Sequence, residues 1–273
     1  MEEFTFGGFG SLKLRGLHSD AAGPSAALLI IHGFGEHGAR YAEMASHMNE
    51  CGISVMTYDL RGHGRSEGRR GAVLDWTEYR EDARSAAEVL SRHCPALPTF
   101  ILGHSMGGTI ALDYIQETER TPVGAIISAP ILGRPGISRL LMAIARMLSA
   151  VAPRLPLSAG LDSNALSRIP DECRKYREDP LVHDTGCARL STELQAVQKR
   201  IFDRAATTNA PLLLTYGSAD RVAPREPIEE FFRAVGSKDK QLRIFEDAFH
   251  EVHNDTIRDE VHRLYSDWIG ARA

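Results

Sequence analysis

Apolar residues fall along this chain in two alternating patterns. Ala26–Ile31 is an unbroken apolar run, and Ile53–Tyr58, Phe100–Leu102, Val123–Ser128 and Leu212–Tyr216 are short runs of the same kind. Such runs suit strands buried on both faces of a parallel sheet. Between them lie stretches with helical spacing: Tyr41–Cys51, closed by Gly52, then Trp76–His93, Met106–Glu117, Pro227–Val235 and Asp255–Ile269. Leu12–His18 reads as an early strand with Phe4–Phe6 as its partner, and Gln241–Phe245 as a late one. Strands alternating with helices predict an α/β protein, a mostly parallel central sheet with helices on both faces.

One segment breaks this rhythm. No strand pattern is visible from 131 to 204. Instead Ile137, Leu140, Leu141, Ile144, Met147, Leu148 and Val151 recur at helical spacing, until Pro153 and Pro156 end the stripe. The expected organisation is therefore a core of residues 1–130 and 205–273, interrupted by an all-helical lid or cap over 131–204.

Composition narrows the function. Among 273 residues, 32 Lys and Arg face 36 Asp and Glu, so the net charge is −4 and no basic excess exists to neutralise phosphates. Nucleic acid is not an expected partner. The four cysteines include no C-x-x-C pair, which argues against a zinc site or a disulfide framework. The acidic start Met1-Glu2-Glu3-Phe4 lacks the basic and apolar pattern of a secretory signal, so the expected location is cytoplasmic.

Gly103-His104-Ser105-Met106-Gly107 matches G-x-S-x-G between a short strand and a helix, the context in which that motif presents a nucleophilic serine. The acid and base of such a site follow in the order Ser, Asp or Glu, His. Asp220 lies just past the strand Leu212–Tyr216, and His250 follows the next one. His250 would take the Ser105 proton and Asp220 would orient the ring. The rival acids are Asp247, better read as a turn residue, and Asp59, better read as fixing a loop. His253 is a rival base. His250 and His253 lack the H-E-x-x-H spacing of a zinc pair, so no metal is expected. Two backbone donors for an oxyanion are expected at Met106 and, in the loop His32-Gly33-Phe34-Gly35, at Phe34. His32 is read as a structural brace for that loop.

Taken in order, His32-Gly33-Phe34-Gly35-Glu36-His37, Asp59-Leu60-Arg61-Gly62-His63-Gly64-Arg65-Ser66, Gly103-His104-Ser105-Met106-Gly107-Gly108, Gly217-Ser218-Ala219-Asp220 and His250-Glu251-Val252-His253 resemble the α/β-hydrolase superfamily, and within it the monoacylglycerol lipase family. The resemblance spans nearly the whole chain and implies the α/β-hydrolase fold with a helical cap insertion. It implies cleavage of a lipid ester, a monoacylglycerol, through an acyl-enzyme on Ser105, Asp220 and His250, with no cofactor. It also places the glycerol end near Glu36, Arg40, His104 and His253, although an ion pair holding the loop explains Glu36 and Arg40 equally well. The family often has a small residue where Phe34 stands, which leaves chain-length preference open. By the same resemblance, Leu140, Leu141, Ile144 and Leu148 form the mouth of an acyl tunnel that transiently touches membrane or lipid aggregates, making the protein peripheral at the membrane. Core packing is the bland alternative for that stripe. Lysophospholipase, general carboxylesterase, acyltransferase and a non-catalytic binder remain as alternatives.

Overall fold

The computed structural model describes residues 1–133 and 139–273, except for the side chains of residues 139–142. Eight strands form the central sheet. They are β1 Glu2–Gly7, β2 Lys13–Ser19, β3 Ala26–Ile31, β4 Ile53–Tyr58, β5 Thr99–His104, β6 Gly124–Ser128, β9 Leu212–Gly217 and β10 Lys240–Phe245. Their order across the sheet is β1-β2-β4-β3-β5-β6-β9-β10. β2 pairs antiparallel with both β1 and β4, and the other pairings are parallel, so β2 alone runs against the rest.

The unbroken apolar runs have a direct cause. Successive side chains of a strand point to opposite faces. In β3, Ala27, Leu29 and Ile31 enter a core shared with α2 (Thr77–His93), α3 (Met106–Glu117), α6 (Ala188–Asp203) and α7 (Arg225–Ala234). Ala26, Leu28 and Ile30 enter the opposite core, closed by α1 (Ala42–Glu50) and α8 (Arg258–Gly270). Both faces are covered, so neither phase of the strand can be polar. No described helix is long and apolar enough to cross a membrane.

The chain between β6 and its sheet neighbour β9 carries α4 (Arg139–Val151), α5 (Pro170–Glu178) and α6. It is not all helical, as the hydrophobic pattern led us to expect. Two three-residue strands, β7 (Pro156–Ser158) and β8 (Thr185–Cys187), pair antiparallel with Leu157 opposite Gly186. Three residues are too few to display a period of two, and β7 is exposed throughout, so no alternation marks it. α4 packs on α6. The buried Ser149 hydroxyl meets Thr192 Oγ1 at 2.8 Å, and Arg189 donates to the Ser149 carbonyl. That contact turns Ile144, Met147 and Val151 outward.

Candidate active site

Ser105, Asp220 and His250 follow β5, β9 and β10, and the loop carrying Phe34 follows β3. All four strands are parallel, so these residues meet at one edge of the sheet, where their C-terminal ends converge.

Ser105 sits at φ 55°, ψ −121°, a conformation that L residues rarely adopt. Its backbone N–H donates to the Ser128 carbonyl at 2.9 Å, and its carbonyl accepts from Gly108 and Thr109 as α3 begins. The flanking glycines are there because backbone crosses at close range. A methyl group on Gly107 would stand 2.2 Å from the Ile31 carbonyl oxygen, and one on Gly103 would stand 2.4 Å from the Gly107 carbonyl oxygen. The turn thus fits only with hydrogen at both positions, and it holds the serine side chain out at the head of the sheet.

Ser105 Oγ lies 2.9 Å from His250 Nε2, and His250 Nδ1 lies 2.8 Å from Asp220 Oδ2. The other Asp220 oxygen accepts from the backbone N–H groups of Val222 and Ala223, which fixes the carboxylate. With Nδ1–H donating to Asp220, the His250 Nε2 lone pair faces the serine hydroxyl. Burial pulls the His250 pKa down, but the charge and hydrogen bond of Asp220 outweigh it and hold it above its ordinary value. Asp247 is exposed, and it has no part in this chain of contacts. Asp59 accepts from Gly38 and Arg65 backbone N–H groups and fixes its own loop. His32 is fully buried, with Nδ1 at 2.7 Å from the Gly33 carbonyl and Nε2 accepting from Leu60, which braces the loop as expected.

A cavity of about 760 Å³ opens over Ser105 and His250. Phe34, Met106, Glu36 and His104 line it from the core, while Leu157, Leu161, Leu166, Tyr176, Leu190 and Leu194 line it from the segment between β6 and β9. Among the described residues, the backbone N–H groups of Phe34 and Met106 have no protein acceptor. Met106 is the first residue of α3, whose leading N–H cannot bond within the helix.

The other expected site residues divide. Glu36 and His104 line the cavity, whereas Arg40 and His253 do not. Arg40 donates to Glu36 at 2.6 Å and to both oxygens of Glu251 at 2.7 and 2.8 Å, so its charge is spent inside the protein. Glu36 also accepts from the Gly33 N–H and the Tyr41 hydroxyl, which makes it the anchor of the Phe34 loop. Burial pushes Glu251 up, yet the doubly bonded Arg40 holds it well below the usual carboxylate range. His253 stacks on Tyr41 and stands edge-on to His104, which separates it from Ser105. Burial, then neighbouring imidazoles, keep both His104 and His253 well below the ordinary histidine value. Ile144 and Leu148 do not line the cavity either, because the contact with α6 through Ser149 turns the α4 stripe elsewhere. The Leu140 and Leu141 side chains lie outside the described residues. Several lining residues were not assigned to the site from sequence, among them Leu157, Tyr176, Leu190, Leu194 and Arg221, and Glu251, which the sequence marks only within the His250-Glu251-Val252-His253 stretch.

The Hydrolase_4 family, described as serine aminopeptidase, S33, matches residues 22–257. The chain belongs to this family of α/β-hydrolases. It is 32% identical to the monoacylglycerol lipase of Mycolicibacterium smegmatis over 98% of this chain and 96% of that protein. Human monoglyceride lipase is 32% identical over 91% of this chain and 84% of its own length. The crystal structure of Paleococcus ferrophilus monoacylglycerol lipase superposes with a TM-score of 0.87 at 32% identity, over 95% of this Hydrolase_4 chain and 99% of that one.

Proposed function

We propose that this Hydrolase_4 protein hydrolyses monoacylglycerols to glycerol and a fatty acid. The observation that carries the reading is the hydrogen-bonded chain Ser105–His250–Asp220 opening into a cavity lined by aliphatic side chains. His250 takes the proton of Ser105 as Oγ attacks the ester carbonyl carbon, and Asp220 stabilises the imidazolium. The oxyanion accepts hydrogen bonds from the Phe34 and Met106 N–H groups. Collapse breaks the ester bond, and the departing glycerol oxygen takes the proton from His250. Water then attacks the acyl-enzyme by the same route, releasing the fatty acid.

The apolar lining suits an acyl chain and supports an ester over a peptide. Glu36 and His104 are the polar partners for the glycerol hydroxyls. The segment 131–204 serves as the cap, and the exposed apolar residues Ile144, Met147, Val151 and Leu155 are its contact with lipid surfaces.

One observation favours a second reading, a lysophospholipase: Arg221 lines the cavity at its exposed side and, among the described residues, carries no ion pair. A panel of monoacylglycerols, lysophospholipids and short p-nitrophenyl esters tests both. Monoacylglycerols are expected to give the highest kcat/KM, with Ser105→Ala inactive and folded. Preference for lysophospholipids, lost on Arg221→Gln, would replace the first reading with the second.

A further inference from the structure

At the opposite edge of the sheet from Ser105, the structure gathers a different chemistry. β2 runs against its neighbours, so its last residues lie beside the start of β4, with Ser19 opposite Val55. There His18, Asp20 and His93 bring their ligand atoms within 4.8 Å of one another. His18 is the next-to-last residue of β2, Asp20 follows the strand directly, and His93 is the last residue of α2.

His18 Nε2 lies 3.3 Å from Asp20 Oδ1, and His93 Nε2 lies 3.4 Å from Asp20 Oδ2 in a long hydrogen bond. Atoms bound tetrahedrally at about 2.0–2.1 Å from a zinc ion stand ~3.3–3.4 Å from one another, so each of these two pairs has a spacing that a shared ion can bridge. The two imidazoles approach to 3.7 Å between ring centroids, a packing that disfavours two protonated rings and suits two neutral ones.

A second observation is independent of the cluster's geometry. His18 is 5% exposed, and its Nε2 is buried with no hydrogen-bond partner. Such an atom is costly to leave unsatisfied. It faces Asp20, and a cation there would satisfy it. Asp20 and His93 are about half exposed, which leaves a path for an ion and for the water that would complete its coordination. The C-terminal end of α2 carries the negative end of the helix dipole, favourable to a cation. Glu2, opposite His18 in the β1–β2 register, adds negative charge nearby. The Ala21 N–H donates to Ser54 Oγ at 3.1 Å and holds the turn that carries Asp20.

We propose that His18, Asp20 and His93 form a binding site for a divalent transition metal ion, with Zn²⁺ as the first choice. Two imidazoles and one carboxylate select such an ion over Ca²⁺ or Mg²⁺, which prefer all-oxygen sites. The ion would clip the end of β2 to the end of α2, far along the chain, and would act on stability and not on the chemistry at Ser105.

The test is titration of the full chain, stripped of metal with a chelator, with ZnCl₂ followed by calorimetry, and with Co²⁺ followed by visible absorption. One equivalent is expected to bind, and His93→Gln and Asp20→Asn are each expected to weaken binding by more than about tenfold. Zn²⁺ is expected to raise the Tm of the parent chain and of neither variant. Both changes are at exposed positions, and circular dichroism checks that the variants fold. Absence of binding by the parent chain overturns the proposal. So does binding that both folded variants retain at full strength, because the ion would then sit elsewhere, for example on His250.

Discussion

The backbone N–H of His183 donates to the Gly35 carbonyl at 2.9 Å, joining the segment between β6 and β9 to the loop that carries Phe34. On the other side, the Glu251 N–H donates to the Leu166 carbonyl at 2.8 Å, joining the same segment to the loop that carries His250. The loops that would supply an oxyanion donor and a base are both tied to it.

Gly35 is where that tie is least tolerant of change. Its φ is +78°, and a methyl group there would stand 2.3 Å from the His183 carbonyl oxygen. Gly35→Ala is expected to cost about 1–3 kcal/mol of stability from backbone strain. Displacing the Phe34 N–H should also lower kcat by up to about 10²–10³-fold. Steady-state kinetics with a monoacylglycerol decides: a change in KM with kcat preserved would remove Phe34 from the proposed oxyanion hole.

Asp220→Asn is expected to lower kcat by about 10⁴-fold, as the equivalent change does in a serine-protease triad. A larger loss on Asp247→Asn would mean that the wrong acid has been chosen. The pH profile carries the same information. Because Asp220 raises the His250 pKa, activity that needs the neutral imidazole falls as pH drops through a value above the ordinary histidine range. Asp220→Asn should move that limb to lower pH. The sign for folding is opposite: the raised pKa contributes stability present in acid and lost as pH rises through it.

Arg40→Met leaves Glu36 and Glu251 buried without their cation. Breaking a buried pair from one side typically costs about 3–5 kcal/mol, and a denaturant titration is expected to read a loss of that size. Glu251 gives the pH sign. Its depressed pKa means that the Arg40 pair contributes stability above the ordinary carboxylate range, lost as pH falls toward the folded value. An Arg40→Met variant as stable as its parent would show that the pair contributes nothing.

Met147→Glu and Val151→Glu put charge on the exposed stripe of α4, away from the cavity. Flotation with anionic lipid vesicles is expected to show weaker association than for the parent chain, with hydrolysis of a short soluble ester unchanged. Equal association would leave the stripe with no role at a lipid surface.

The sequence made legible what depends on local pattern. Ala26–Ile31 reads as a doubly buried strand because every one of its residues meets one of the two cores. Ser105, Asp220 and His250 are readable because each follows a strand that ends at the same edge. What remained hidden depends on contacts across the fold. Nothing local says that Ser149, a polar residue within an apolar helix, chooses the face of α4 that turns to α6. Nothing local says that Tyr41 and His104 stand beside His253, or that Glu251 consumes Arg40. His18 and His93 belong to no motif because they are neighbours only once β2 and α2 have packed.

The ties of His183 to Gly35 and of Leu166 to Glu251 change what the segment over the cavity is. A cover that could swing away as a unit would break both, and with them the setting of the Phe34 and His250 loops; Ser167 and Arg168, bonded to Asn254 and Asp255, add to the same seam. The stretch from Leu161 to Cys187 is thus bonded into the scaffold that sets both loops. Cutting the segment out would dismantle the reactive centre instead of uncovering it.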